Sequence, residues 1–279
     1  MSIGYVNGRF VDLNEPVIPI DERGHQFGDG VYEVIRVYNK KPFMLREHLE
    51  RLQTSAEAIK LKLDQTLEQY EQLIKEAIEK SALTDCDVYL QITRGVAVRN
   101  HLFPDVSVST TMTVRPAKQL PRHLRENGVS AIFHDDERWA NCYIKSLNLL
   151  PNILAKQTAH EKGSYEAILV RDEYVTEGSS SNVFIVKNGT IYTTPLSKHI
   201  LSGITRMAVK SIIETEGLTL VEEKFTKEDV LESDEVFITS TTSEILPIVT
   251  VDGQKIGTGK PGEIATTLYQ KFQENIANE

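Results

Sequence analysis

The chain has 279 residues, with 31 Lys and Arg against 40 Asp and Glu, and a formal charge of −9. At 40% apolar and 25% charged it has the make-up of a globular protein, which excludes a disordered or membrane-spanning chain. A net negative charge gives no general attraction to nucleic acid or anionic lipid, so neither is expected as a partner and an anionic ligand needs local groups to capture it. Cys86 and Cys142 form no C-x-x-C pair and have no metal-ligand spacing; they read as reduced thiols, and no metal site is expected. Residues Met1 to Ile20 lack the basic-then-apolar pattern of a signal peptide, and no apolar run approaches about 18 residues, so a cytoplasmic protein is expected.

Taken in order, Tyr5-Val6 and Arg9 to Val11 flank Asn7-Gly8, a hairpin signal because both turn positions need positive φ. Val31 to Tyr38 alternates as a strand, and a short return is expected over Pro42 to Leu45. From Arg46 the apolar residues Leu49, Leu52, Ala56 and Ile59 keep to one helical face; a second helix carries Leu67, Tyr70, Leu73, Ile74, Ala77 and Ile78, with Thr66 and Gln69 as its capping box. Strands follow at Val88 to Thr93 and Val106 to Val114. Pro116 to Arg125 has two prolines, several basic residues and little periodicity, the pattern of a link between domains. Expected beyond it are a strand at Val129 to Phe133, a helix from Leu150 to Glu161 stopped by Gly163, and a strand at Ala167 to Val170. A second hairpin is expected across Asn188-Gly189, then a helix from Thr205 to Glu216 and strands at Glu235 to Thr239 and Ile248 to Val251. A last helix carries Ile264, Leu268, Phe272 and Ile276. Helices and strands mix without strict βαβ alternation, which indicates an α+β fold in two domains, 1–115 and 126–279, joined by the linker 116–125.

Gly257-x-Gly259-x-x-Gly262 matches a dinucleotide-binding pattern, but no further strand or acidic residue follows at the required distance; a hairpin and helix entry fit better. Asn188-Gly189-Thr190 is formally a glycosylation sequon and reads as a turn. The hydrolase elbow, the H-E-x-x-H pair and the P-loop are missing. What stands out is Leu201 to Arg206, a Gly-containing loop entering a helix with Thr205 at the expected cap; alone it is a capped helix. With two hydroxyl-rich turns, Glu177 to Asn182 and Ser240 to Glu244, it outlines an anion pocket. Lys145 is the only charged residue between Trp139 and Leu150; it is either a snorkelling lysine or an amine whose pKa is lowered for nucleophilic or base chemistry. Arg99 and His101 supply donors suited to a carboxylate, or belong to a solvated loop.

The runs DERGHQFGDGVYE, YIKSLNLL, YEAILVRDEYVTEGSSSNVF, ILSGITR and FITSTTSEI resemble the D-amino-acid-specific branch of the fold-type IV pyridoxal-phosphate aminotransferases, in that family's order and spacing. The resemblance implies a two-domain α+β fold with pyridoxal 5'-phosphate between the domains. It implies that Lys145 forms the Schiff base with the cofactor aldehyde and moves the substrate proton, and that Glu177 holds the pyridine nitrogen protonated. Arg51, the backbone of Ile204 and Thr205 and the hydroxyl of Thr241 would bind the phosphate, with Ser179, Ser180 and Ser240 near the ring and its phosphate side and Leu201 packed on the ring. Tyr32, with Arg99 and His101 lent by the other subunit of a homodimer, would trap the substrate carboxylate. The implied activity is a two-stage ping-pong transamination between D-alanine, D-glutamate or D-aspartate and 2-oxoglutarate or pyruvate. Alternatives are an aminodeoxychorismate lyase or a branched-chain aminotransferase of the same fold, and, from another class, a non-enzymatic cofactor- or phosphate-binding protein.

Overall fold

The protein is described by a computed structural model covering residues 1–278. It forms two compact units, Met1–Lys118 with Ile144–Asn148, and Gln119–Tyr143 with the chain from Leu149 onward.

The first unit contains β1 (Ile3–Val6), β2 (Arg9–Val11), α1 (Arg23–Phe27), β3 (Gly30–Tyr38), β4 (Lys41–Pro42), α2 (Leu45–Ala58), α3 (Leu67–Ser81), β5 (Cys86–Thr93) and β6 (Ser109–Pro116). Its six strands lie in the order β2-β1-β6-β5-β3-β4 and every pairing is antiparallel. Asn7 and Gly8 turn the first hairpin with φ of 44° and 93°, and Thr66 and Gln69 close the capping box of α3. Period-2 alternation sends Val31, Ile35 and Val37 of β3 and Val88, Leu90 and Ile92 of β5 into a core shared with Leu49 and Leu52 of α2 and Tyr70 and Ile74 of α3. Each large aliphatic side chain buried there is worth about 1.5–3 kcal/mol. The expected return over Pro42 to Leu45 shrinks to two residues, because Met44 adopts φ 48° and α2 begins at Leu45. Val106 to Val108 is loop, and β6 starts only at Ser109.

The second unit contains α4 (Arg122–Asn127), β7 (Val129–Asp135), α5 (Leu150–Glu161), β8 (Glu166–Arg171), β9 (Tyr174–Gly178), β10 (Asn182–Lys187), β11 (Thr190–Thr193), α6 (Ile204–Thr215), β12 (Leu220–Glu222), α7 (Lys227–Leu231), β13 (Glu235–Ser240), β14 (Glu244–Val251), β15 (Gln254–Lys255) and α8 (Glu263–Asn278). Its mixed sheet runs β12-β11-β10-β13-β14-β7-β8-β9, with β15 paired to β14. Strand β7 is parallel to both β14 and β8. Phe184 and Phe237, paired across β10 and β13, stack with ring centres 4.9 Å apart. The Gly257–Gly262 segment is the exit from the β14–β15 hairpin into α8, whose first amides, of Ile264 and Ala265, donate to the Glu235 carboxylate at 3.0 and 2.9 Å. A helix start already holding a carboxylate is not a pyrophosphate cradle.

The segment expected as a linker, 116–125, is partly ordered: β6 runs to Pro116, α4 opens at Arg122, and the division between units falls after Lys118. A second departure concerns Ile144–Asn148, which belongs to the first unit although it sits within 126–279. The Tyr32 amide donates to the Lys145 carbonyl at 3.1 Å, the Leu147 amide donates to the Gly30 carbonyl at 3.1 Å, and Val31 bridges Ser146. Gly30 is required at this crossing, since a Cβ there would stand 2.6 Å from the Ile92 carbonyl and 2.9 Å from Leu147 Cδ1.

Candidate active site

In the first unit, β3 and α2 position the functional side chains around the crossing at Lys145. The Lys145 amide donates to Ser55 Oγ at 3.1 Å, and its ammonium lies 4.4 Å from the centre of the Tyr32 ring, a cation–π contact. Tyr32 in turn stacks on Tyr89, its neighbour on the same face of the sheet, at 5.5 Å. Glu33, the next residue along β3, points to the core side and is fully buried. Its carboxylate accepts from Arg51 Nε and Nη2, both at 2.7 Å, and meets His48 Nδ1 at 2.6 Å. Burial pushes the Glu33 carboxyl up, but the charges of Arg51 and His48 outweigh it and hold the group at about 2. Burial pushes the His48 imidazole below its ordinary value against the opposing pull of Glu33; the positive charges of Arg51 and Lys145 act with burial. Arg51 is thus a fixed cation, oriented by a buried carboxylate.

Arg99 and His101 lie elsewhere in this unit, on the exposed loop after β5. The Arg99 guanidinium sits 4.7 Å from the centre of the Phe27 ring, and His101 packs on the same ring at 5.7 Å. Their neighbour Arg94 is structural: it is buried, bonds Asp29, donates to the carbonyls of Ile59 and Lys60, and covers Phe103.

In the second unit Glu177 is the penultimate residue of β9 and is 5% exposed. It accepts from Arg138 Nη1, from Asn182 Nδ2 at 3.2 Å and from the Leu201 amide at 3.1 Å. Burial pushes its carboxyl up to about 7, opposed chiefly by Arg138. The next turn is braced from below. Ser179 and Ser181 both donate to the buried Glu166, and the Asn152 amide donates to the Ser179 carbonyl at 2.9 Å, while Ser180 is exposed. The Ser179 hydroxyl is therefore engaged inside the turn. Helix α6 begins at Ile204 with Gly203, not Thr205, as its N-cap, and among the described residues no side chain caps it. A Cβ on Gly203 would lie 2.1 Å from Asn182 Oδ1, so only glycine admits this close approach. Asn182 also donates to the Leu201 carbonyl at 3.0 Å, which ties the helix entry to Glu177. Ser240 accepts from the Ser243 amide at 3.0 Å and, with Thr241, forms the turn between β13 and β14.

Several residues of these clusters escaped the sequence reading: Glu33 and His48 around Arg51, and Asp136, Arg138 and Asn182 around Glu177. Glu33 did leave a signal, a carboxylate on the apolar face of an alternating strand. His48 and Arg51 stand three apart, on one face of α2. Arg138 lies in the charged run Asp135 to Arg138, which reads as solvated until the fold buries it.

Residues 30–251 match the family Amino-transferase class IV. The chain is 46% identical to a D-alanine aminotransferase of Bacillus licheniformis over 278 residues, covering 98% of this chain and 96% of that one. It is 44% identical to a D-alanine aminotransferase of Listeria monocytogenes over 274 residues, covering 97% and 95%. Among solved structures, the branched-chain amino acid aminotransferase of Escherichia coli superposes with a TM-score of 0.91 at 27% identity, over 98% of this chain and 93% of that one. A second branched-chain amino acid aminotransferase, solved with pyridoxamine 5'-phosphate, gives 0.90 at 28%, over the same shares. The chain belongs to the class IV aminotransferases and has their two-domain α+β fold, fold-type IV. It is a pyridoxal-phosphate-dependent transferase.

The residues present fit that cofactor. A lysine amine, a buried carboxylate and an uncapped helix start supply the donor set that an aldehyde, a ring nitrogen and a phosphate require. Thr239 Oγ1, buried on the sheet face shared with Asn182, has no hydrogen-bond partner among the described residues.

Proposed function

We propose that this aminotransferase moves an amino group between a D-amino acid, with D-alanine, D-glutamate and D-aspartate as candidates, and a 2-oxo acid such as 2-oxoglutarate or pyruvate. The observation that carries this reading is the combination of Lys145 over Tyr32 with the Arg99 and His101 pair, in a chain 46% identical to a D-alanine aminotransferase along its length. Bound pyridoxal phosphate supplies an aldehyde that takes up the amino group and a ring that accepts the electrons left when the substrate Cα proton departs.

The chain's own residues do the rest. Lys145 holds the cofactor through its amine and, once displaced by substrate, carries the proton from Cα. Because one amine serves one side, only the enantiomer presenting its Cα–H to Lys145 reacts. Glu177 pairs with the ring nitrogen. Arg51, the amides of Ile204 and Thr205 and the Thr241 hydroxyl bind the phosphate; Ser180 and Ser240 lie at its edge, Ser179 sets the turn, and Leu201 packs on the ring. Tyr32, Arg99 and His101 take the substrate carboxylate by charge-assisted hydrogen bonds.

Arg99 and His101 act in a homodimer, each pair serving the partner's cofactor. Exposed apolar residues support this: Val98, Leu102 and Phe103 flank the pair, and Leu150, Ile153 and Leu154 are exposed on α5. Among the described residues no helix is long and apolar enough to cross a membrane, and we place the enzyme in the cytoplasm. The test is a spectrum of the holoenzyme. D-alanine alone should convert the absorbance of the aldehyde form to that of the amine form, L-alanine should not, and a 2-oxo acid should reverse the change. Conversion by L-alanine or L-leucine alone would favour a branched-chain enzyme; pyruvate release from aminodeoxychorismate without an amino acceptor would favour the lyase.

A further inference from the structure

Glu177 needs a permanent cation to remain a carboxylate, and the geometry decides which residue supplies it. Its other two partners, Asn182 and the Leu201 amide, are neutral donors. Arg138 is the guanidinium on its carboxylate. Asp136, two residues earlier, grips it: Oδ1 accepts from Nε and Oδ2 from Nη2, both at 2.8 Å, and Oδ1 also accepts from the Arg138 amide at 3.2 Å. A carboxylate occupying the Nε–Nη2 edge of a planar fork leaves Nη1 directed the other way, at Glu177. The Asp136 side chain is wholly buried and held from behind by Thr176 Oγ1, which donates at 2.9 Å, and by Arg171 Nη2 at 3.2 Å. Arg171 continues the network to His199 Nδ1 at 2.9 Å and to the Arg138 carbonyl at 2.6 Å. Arg171, Asp136, Arg138 and Glu177 thus alternate in sign.

We propose that Asp136 is a positioning residue that locks the Arg138 guanidinium onto Glu177 and so keeps ionised the carboxylate that faces the cofactor ring nitrogen. The inference rests on the reading of Glu177 as the partner of that nitrogen. It explains why a buried aspartate and two arginines are gathered behind one glutamate, whose burial raises the carboxyl to about 7 even against the opposing charge of Arg138. With Arg138 in place the proton of the Glu177–nitrogen pair stays on the nitrogen. With Arg138 released, the carboxylate becomes the better base and the proton moves to it. The charged and titratable groups around Glu177 are Arg138, Asp136 and Cys142 from the segment after β7, Arg171 from β8, and His199 before α6.

The two ways Asp136 can act predict opposite signs. As a nearby negative charge it raises the proton affinity of Glu177, so its removal would fix the proton more firmly on the ring nitrogen. As a clamp on Arg138, its removal does the reverse. The experiment is 15N NMR of holoenzyme loaded with ring-15N pyridoxal phosphate, titrated across neutral pH, for the wild type, Asp136→Asn and Glu177→Gln. The wild type should show a protonated ring nitrogen. Asp136→Asn should move the signal towards neutral pyridine by the equivalent of roughly one pKa unit, tenfold in the ionisation ratio. An unchanged signal, or one displaced to the protonated side, overturns the proposal even if the variant melts earlier. If Asp136→Asn yields no folded holoenzyme, Arg138→Lys is measured instead; it keeps the charge but cannot be gripped along an edge, so the signal should move the same way, and a wild-type signal overturns the proposal. A wild-type nitrogen that is unprotonated, or unaffected by Glu177→Gln, refutes the reading of Glu177 itself. A response to Glu177→Gln without one to Asp136→Asn refutes only the clamp.

Discussion

Lys145 and Tyr32 are joined twice: the Tyr32 amide donates to the Lys145 carbonyl at 3.1 Å, and the Lys145 ammonium lies 4.4 Å from the centre of the Tyr32 ring. The backbone bond fixes where the lysine stem starts and the ring fixes where its end can rest. The negative face of the ring attracts the ammonium and so helps hold the end of the side chain in place.

Lys145→Ala should therefore abolish turnover and the visible absorbance of the bound aldehyde, lowering kcat by about 10^4-fold or more. Tyr32→Phe keeps the ring under the ammonium and removes the hydroxyl. It should retain the absorbance and raise KM for D-alanine more than it lowers kcat. Absorbance at full strength in Lys145→Ala would contradict the assignment.

Much of this arrangement was legible in the chain. Asn7-Gly8 and Asn188-Gly189 carry their hairpins, Thr66 and Gln69 their capping box, and Leu150–Glu161 its full length, because turn and cap chemistry is local. Lys145 was conspicuous as a lone charge in an apolar run. Its place in the first unit was not, since the bonds to Gly30 and Tyr32 span more than a hundred residues and leave no local pattern. Strand β9 was missed because Tyr174–Gly178 is five residues long and ends in Glu-Gly. The contacts of Arg138 were missed because the fold buries the Asp136 and Arg138 side chains of the charge run 135–138 while Asp135 and Glu137 stay exposed, a split that the run itself does not signal.

Glu33 predicts an acid sensitivity. Its folded pKa, about 2, lies below the ordinary 4.5, so its contribution to stability is complete above pH 4.5 and is lost as pH falls from 4.5 towards 2. His48 acts in the same direction. Burial lowers its pKa below 6.5, so the unfolded chain binds the proton first and stability starts to fall as pH drops below 6.5. Glu33→Gln should cost about 3–5 kcal/mol near neutral pH by removing the buried carboxylate charge that Arg51 and His48 are bonded to. It should also flatten the acid limb between pH 4.5 and 2. Denaturant midpoints measured at several pH values check both, and a variant with an unchanged acid limb would show that Glu33 is not linked to folding.

Arg99 predicts a binding effect without loss of folding. The residue is exposed and its contact is the Phe27 ring, so Arg99→Ala should leave the melting temperature within a degree or so of wild type. Losing charge-assisted bonds worth about 1.5–3 kcal/mol should raise KM for D-alanine by roughly 10- to 100-fold. Steady-state kinetics with D-alanine and 2-oxoglutarate measure this; an unchanged KM would remove Arg99 from the carboxylate trap.

Gly203 offers the sharpest separation of cofactor binding from overall stability. Its φ of −70° suits any residue, so the demand for glycine comes from space: a Cβ would stand 2.1 Å from Asn182 Oδ1. Gly203→Ala must displace Asn182, whose amide donates to both Glu177 and the Leu201 carbonyl. The start of α6 and the position of Glu177 shift together, while Phe184 and Phe237, the stacked pair of the sheet, are untouched. Pyridoxal-phosphate affinity should fall by roughly 10-fold or more, with a loss in apoenzyme stability of about 1–3 kcal/mol from the overpacking. Equilibrium dialysis of the cofactor and thermal melts of the apoenzyme measure the two effects separately. Wild-type affinity in Gly203→Ala would mean that the α6 entry does not contribute to holding the phosphate.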